Sequence, residues 1–575
     1  MAVPTMPTIE DWRAQVDKEL AGAAFDKLVT ATPEGFAILP LYTEARVDPG
    51  LPGAAPFTRG GSAEARPFQI CMRANAGNIV EQLDGGADAV WIELDDQAAV
   101  AVARARGVHV VGDLPIDGVG DVAGSGDRAI RGSEDGASDG EASDADEEPP
   151  MWIGFDFIGD VLRGRRPAPF VDDAMLGSLA AVVQDAPDDP ATRMIRVSGL
   201  PFHDAGADAA DELALMLASA AAYLRALVDH GVAIDAASAS MWAQISVGRD
   251  TFGELCKLRA LRVCWHKLFA AAGARDTALT ALHAVASSRT QSQRDPWVNM
   301  LRVTTEVFAA ALGGAQLVTP SAFDEALGPA SAHGLRVARN TALVLREESH
   351  LGRVIDAAGG SYYIEARTDA LAREAWARFT QIERDGGIAK LIVSGGLRER
   401  LARSWAARAA AIAKRKEPVL GVSEFANLDE QLPAEPPAAA AAPPPAPALV
   451  PHRDAEGFEA LRGSASREVA IVAIGPPAEH RARVGFATAL FATVGLRAHD
   501  LAAGSVPDIA CLCGSDERYA TEAVAHANEL RAAGARKIVL AGRPGALEAE
   551  LRKAGVDAFI YVGCDVLATL TELTR

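Results

Sequence analysis

The chain has 575 residues, 49% of them hydrophobic, and a formal charge of -21. That length exceeds one ordinary core and sets two or three domains as the expectation. The negative charge repels phosphate backbones and anionic lipid heads, and no Lys/Arg cluster with interleaved aromatics offsets it, which argues against nucleic acid or a membrane as partner.

Met1–Glu10 lacks a basic region followed by an apolar core, and the early acids Glu10, Asp11, Asp17 and Glu19 do not suit a transit peptide. No stretch reaches the roughly 18 apolar residues of a membrane span. The sequence therefore reads as cytoplasmic. Residues Thr8–Thr43 carry an amphipathic helix pattern at Trp12, Val16 and Leu20, a turn at Thr32-Pro33-Glu34-Gly35, and the apolar run Phe36–Tyr42. Such a segment is too small for its own core and must lie along another surface.

From Gly60 to Ala426, β-rich runs such as Ala89–Leu94 and Met194–Val197 alternate with helical patterns such as Asp211–His230. This alternation predicts parallel strands covered by helices, as a closed barrel or an open doubly wound sheet. Gly118–Pro150 interrupts it with Gly, Ser, Asp and Glu, and Glu134–Glu148 has acids but no base, so a solvated, disordered insertion is expected. Gln431–Pro451 is almost all Ala and Pro and reads as a semi-extended tether at a domain boundary. Beyond it, Val469–Ile474, Ile509–Cys513, Lys537–Leu540 and Ala558–Val562 are apolar runs of strand length, which predicts a small doubly wound domain binding ligands at the carboxyl ends of its strands. The cysteines Cys71, Cys256, Cys264, Cys511, Cys513 and Cys564 lack metal-ligand spacing and read as buried apolar side chains.

Four stretches stand in a telling order: Asp295-Pro296-Trp297, Arg336–Asn340, Val354–Glu365 and Gly386-Gly387-Ile388. Together they resemble the barrel half of the methylmalonyl-CoA mutase family. The resemblance implies an N-terminal arm (1–59) that embraces a partner subunit, a (β/α)8 TIM barrel (60–430) with the insertion at 118–150, a linker (431–466), and a flavodoxin-like, Rossmann-type cobalamin-binding-like domain (467–575). It also implies interconversion of (R)-methylmalonyl-CoA and succinyl-CoA by a radical route begun on adenosylcobalamin, for which the protein holds cobalt, excludes water and orients the acyl group.

Several family positions are altered here. The cobalt-ligating Asp-x-His-x-x-Gly meets Ala478-Glu479-His480-Arg481-Ala482-Arg483, so His480 stands at the ligand position without its carboxylate. The Gly-x-Ser-x-Leu turn meets Leu512–Asp516 and keeps Ser515, and the Gly-Gly turn is Ala541-Gly542. On the substrate side, Arg66–Arg73 has Cys71 for the family's arginine and Arg73 for its tyrosine. In Ser198–Gly206, Pro201 replaces the histidine that bonds the thioester carbonyl, and Pro has no donor. His203, two residues on, would point to the same side of a strand end. In Phe252–Trp265 the family helix is kept, with Phe252, Cys256, Ala260, Val263 and Cys264 expected on one apolar face, and Arg259 expected either on the CoA side or in an ion pair with an acid such as Glu254 or Asp250.

The implied reading is a non-catalytic small (β) subunit with no catalytic residue of its own. Its cobalamin positions His480, Ser515 and Gly542 are vestigial, and a homologous large subunit holds the adenosylcobalamin and acyl-CoA. The rivals are a working mutase using His480 and His203, and a free-standing CoA-binding scaffold.

Overall fold

The computed structural model describes residues 7–44, 48–113, 150–165, 173–184, 191–433, 448–462, 468–501 and 508–574. The expected acidic insertion, up to Glu148, and most of the Ala/Pro tether lie outside the described residues.

The arm begins with a helix, Ile9–Glu19, capped by Thr8 and Asp11 in a reciprocal box and burying none of its residues. Trp12 meets Phe25, edge to face at 6.2 Å. The second half of the arm behaves differently. A two-strand hairpin, β1 (Thr30–Ala31) and β2 (Ala37–Ile38), turns at Gly35, whose φ of 98° suits glycine. Arg378 donates to the Glu34 carbonyl at 2.8 Å, and Tyr42 packs on Tyr363 at 5.3 Å, so this half is moored on its own barrel.

Eight parallel strands then close a barrel: β3 (Gln69–Arg73), β4 (Ala89–Glu93), β5 (His109–Asp113), β6 (Met151–Phe155), β7 (Arg193–Ser198), β8 (Met241–Val247), β9 (Leu282–Ala286) and β10 (Leu317–Thr319), which pairs back to β3. The period of two decides which way each side chain faces. Ile70, Met72, Val90, Ile92, Val110, Ala243 and Ile245 pack outward against helices in the main core, while Cys71, Ala89, Val111, Trp152, Trp242, Ala281 and Leu317 form a separate inner cluster with Trp91.

The helix Thr251–Ala272 departs from expectation. Phe252 is 54% exposed, whereas Lys257, Arg259 and Arg262 are buried. The helix is covered on more than one side, with Cys256 and Cys264 reaching the carbonyls of Ile364 and Ala372 on the helix Tyr362–Arg384, so a single apolar face is not required. Arg259 pairs with Asp356 and Glu365, not with Glu254 or Asp250. Glu254 lies 2.6 Å from Lys257, and Asp250 pairs with Arg367.

The C-terminal sheet is parallel, in the order β12-β11-β13-β14-β15, with β11 Glu468–Ala473, β12 Arg497–Asp500, β13 Ile509–Cys513, β14 Lys537–Ala541 and β15 Ala558–Ile560. This second-first-third-fourth-fifth order is the flavodoxin-like one, with its ligand crevice between the ends of the first and third strands. Strand β12 escapes sequence reading because it is a mostly exposed edge strand with Arg497, His499 and Asp500 in it. Within the stretch expected as linker, Leu449 is buried in the barrel core, and Glu456–Arg462 is helical with Phe458 buried in the apolar cluster of the small domain. All six cysteines are free and buried.

Candidate functional site

Barrels of this kind place their chemistry at the carboxyl ends of the strands. Here those ends form a charged cup of about 380 Å³ lined by Arg73, Glu93, Asp113, Arg163, Arg165, Arg196 and Asp204. Buried Arg196 pairs with Asp113 and lies 3.7 Å from Asp156. Burial pushes the Asp113 carboxyl up, but Arg196 outweighs it and holds the group below the usual range. Burial, with Asp113 alongside, raises Glu93, and burial raises Asp204. Arg73 stands 4.7 Å over the Trp91 ring and bonds Glu325 at 2.5 Å. The cup is thus largely satisfied from within.

Pro201 and His203 are not on a strand end. Leu200–Asp204 is a short helix, which turns both side chains inward and buries them, correcting the same-side expectation for His203. The imidazole Nε2 lies 2.7 Å from Ser287 Oγ and Nδ1 3.3 Å from Glu212, itself 2.7 Å from buried Lys257. Burial, then the nearby Arg289 and Lys257, holds His203 well below its ordinary pKa. A neutral, enclosed imidazole of this kind holds core elements together and has no substrate-facing surface.

The barrel axis is filled by rings. His109 lies 4.7 Å from Trp152, Trp152 5.6 Å from Trp242, Trp242 6.3 Å from His283, and His283 5.4 Å from Trp91, all at contact spacing for aromatic pairs. Trp242 donates to the Ile153 carbonyl at 2.7 Å, and His283 meets Thr319 at 2.8 Å. Burial keeps both histidines neutral, with His283 near 3 and His109 near 4. The plug's upper face, at Trp91, lines the cup. Its lower face, at His109 and Trp152, lines a second cavity of about 590 Å³ at the N-terminal mouth, together with Arg59, Arg66 and Arg262. Burial pulls the Arg262 guanidinium down to about 10, and among the described residues its hydrogen bonds go to the carbonyls of Phe57, Thr58 and Gly314.

In the small domain, His480 falls in the first turn of the helix Pro477–Ala492. Its Nδ1 is buried with no hydrogen-bond partner among the described residues. The crevice between β11 and β13 is crossed twice. Arg483 reaches from the first helix to the Gly514 carbonyl and to Asp516, each at 2.5 Å, and Arg518 reaches back to Glu479 at 2.8 Å. Arg483 also covers the Tyr519 ring at 4.8 Å, and the Tyr519 hydroxyl accepts from Gly514 N–H and lies 2.8 Å from the Ala541 carbonyl, tying β13 to β14. Ser515 caps the helix Asp516–Ala532. A Cβ at Gly542 would meet Tyr519 at 3.1 Å and Arg483 at 3.3 Å.

The model of the family described as methylmalonyl-CoA mutase matches residues 180–442. A methylmalonyl-CoA mutase small subunit from Streptomyces virginiae is 35% identical over 98% of this chain and 96% of its own length. A probable small subunit from Mycobacterium tuberculosis (strain ATCC 25618 / H37Rv) is 34% identical over 95% of this chain and 92% of its own. The chain belongs to the methylmalonyl-CoA mutase family. The small subunit of Propionibacterium freudenreichii subsp. shermanii is 30% identical over 98% and 94%.

Against that membership, the fit of adenosylcobalamin to this chain can be tested on its own atoms. A ligating histidine needs its second nitrogen held by an acceptor. The Nδ1 of His480 has none, and Arg483 and Tyr519 fill the space beside Gly514 and Gly542. The residues present do not fit the cofactor. Sequence reading overlooks the tryptophans that fill the axis, although Trp91, Trp152 and Trp242 each sit at inward positions of a two-residue period. It also overlooks Tyr519, which looks like an ordinary helix residue until β13 and β14 are paired.

Proposed function

We propose that this chain is the non-catalytic small (β) subunit of a heterodimeric, adenosylcobalamin-dependent methylmalonyl-CoA mutase, serving assembly and stability of a homologous large subunit that binds cofactor and acyl-CoA. The observation that carries the reading is the aromatic plug. Any ligand entering along the barrel axis would have to displace Trp152 and Trp242, both buried in the inner cluster. With that reading go an arm at 1–59, a barrel unit at 60–430, a linker at 431–466, a degenerate cobalamin-type domain at 467–575, and a cytoplasmic location. Among the described residues no helix is long and apolar enough to cross a membrane.

The arm supports the assembly role, because Ile9–Glu19 fully buries none of its residues: Ile9 is 45% exposed, and Trp12, Val16 and the C-cap Leu20 are only half-buried. Removing residues 1–24 and mixing with the large subunit is expected to abolish the complex at micromolar concentration by sedimentation, with far-UV circular dichroism little changed. For the cofactor, the purified chain is expected to lose cobalamin on gel filtration. Stoichiometric retention with a His480-dependent spectrum would overturn the reading.

A second reading, retained CoA binding, is favoured by Arg262 in the N-terminal mouth, a buried cation without a carboxylate hydrogen-bond partner among the described residues. Equilibrium dialysis with CoA separates the two: saturable binding lost in Arg262→Met supports a CoA site at the mouth, and no binding supports a purely architectural barrel.

A further inference from the structure

Two carboxylates and the backbone N–H of a buried aspartate, all from the segments flanking the small domain, reach back to one loop of the barrel, the loop that follows β9. Glu430 accepts from the Asp295 N–H at 2.6 Å, and Glu459 accepts from the Gln293 N–H at 2.5 Å while bonding Arg453 at 2.6 Å. Between them, Asp454 is 3% exposed and sits in an arginine socket. Arg408 grips it with two parallel bonds of 2.8 and 2.7 Å, and Arg249 Nε stands 3.2 Å away. The backbone N–H of Asp454 donates to the Arg289 carbonyl at 2.9 Å.

The segment before it lies along the barrel as a strap. Leu449 N–H donates to Leu162 O and His452 N–H to Asp204 O, each at 2.8 Å, and the His452 ring stacks on Trp405 at 4.4 Å. The segment after it enters the small domain, where Ala455 and Phe458 share one apolar cluster with Ile412, Val419 and Val422 on the barrel side and with Val469 and Ile471 of β11.

The charge arrangement makes Asp454 the keystone. Burial lowers the pKa of Arg289, and the neighbouring Arg408 lowers it further, whereas Asp454 opposes that shift. Burial alone would raise Asp454, yet Arg408, Arg249 and Arg289 together drive it far below the carboxylate range. Withdrawing the carboxylate leaves Arg408 and Arg249 to the longer ion pairs with Glu417, at 3.3 and 3.5 Å, and leaves Arg289 without its opposing charge, in a desolvated socket. A domain that swung as a lid would have to break this contact and the two flanking carboxylate bonds together.

We propose that Asp454 is a latch that fixes the small domain to Arg408 and Arg249 of the barrel, beside the β9 loop, so that barrel and small domain move as one rigid body. The test uses the full chain carrying spin labels at two exposed positions, Glu81→Cys on the barrel and Glu529→Cys on the small domain, the native cysteines being buried. Pulsed dipolar spectroscopy is expected to give one narrow distance in the parent and a broad or bimodal distribution in Asp454→Asn. Hydrogen exchange at Leu449 and His452 should quicken about tenfold or more, as for a released local unit. Arg408→Lys, which keeps the charge but loses the two-pronged grip, is the second variant, and it decides alone if Asp454→Asn fails to fold. An unchanged distribution in the folded variants overturns the latch.

Discussion

In the barrel, the ligand axis is occupied by Trp152, Trp242, His109 and His283, all buried and packed ring against ring. In the small domain, the equivalent crevice is crossed by Arg483 to Asp516 and by Arg518 to Glu479, ion pairs whose members reach the surface, with Asp516 76% exposed. The first closure is made of the same apolar burial that holds the fold, so reopening it dismantles a core. The second is made of charges screened by solvent, so it can be removed with the sheet intact. One chain thus closes two crevices, one with its own core and one by side chains that a few substitutions can undo.

The comparison breaks or sharpens most clearly at Trp242. Trp242→Ala should cost about 3–5 kcal/mol, the usual price of emptying an aromatic site in a packed core, read as a lowered urea midpoint of the barrel transition. A loss under about 1 kcal/mol, the level of an exposed ion pair, would mean that the plug is a removable occupant and that the contrast with the small domain fails.

The next effect is one of pH. Burial raises Glu306 to about 8, with Thr290 donating to it at 2.6 Å. A carboxyl whose folded pKa is raised binds its proton more tightly in the native state, so its contribution is full below the unfolded value and is lost as pH rises toward 8. His109 and His283 run the other way: their folded pKa values near 4 and 3 lie below the unfolded value, so their contribution is lost as pH falls below about 6.5. Barrel stability should therefore peak near neutral to slightly acid pH. Glu306→Gln should flatten the decline between pH 6.5 and 8, which is on the order of 2 kcal/mol over that interval. Denaturant midpoints across pH 4–9 check both slopes, and an unchanged alkaline slope in the variant would assign it to another group.

A smaller effect is expected from rebuilding the crevice. Ala478→Asp with Arg483→Gly restores a partner for His480 and removes the crossing guanidinium, and should raise cobalamin affinity by about 10–100-fold over the parent. Dialysis against hydroxocobalamin measures it. No gain would mean that Tyr519 alone blocks the site. Smallest of all, Arg483→Ala should shift stability by no more than about 1 kcal/mol, since its partner Asp516 is largely in water. A larger loss by urea unfolding would show that Arg483 supports the sheet through Gly514 and Tyr519 and is not a surface clamp.

The local patterns were legible where burial is one-sided or complete over a short run. Ile509–Cys513 and Lys537–Leu540 declare themselves as buried parallel strands because every residue but Lys537 is enclosed. The edge strand Arg497–Asp500 does not, because its side chains face water. The inward turn at His203 is hidden for a related reason: a Ser-Gly-Leu-Pro stretch ends a strand, but the proline at the start of a helix turns the chain, and the imidazole goes inward. At the site, the altered residues at 71, 73, 201, 478 and 483 could be counted from the sequence, yet counting losses does not say what fills the space left behind.

That filling belongs to tertiary structure. Amino-acid order alone determined the alternation of strands and helices, the inward and outward faces of each strand, the buried cysteines, and family membership, because these depend on periodicities of two to four residues and on contiguous words. Closure decided the rest. Trp91, Trp152 and Trp242 become a plug only when β4, β6 and β8 curve into one barrel, and Arg259 chooses Asp356 and Glu365, 97 and 106 residues away, over Glu254 and Asp250 on its own helix and cap. Buried charge takes whichever partner the packed geometry delivers, and that geometry is a property of the closed fold.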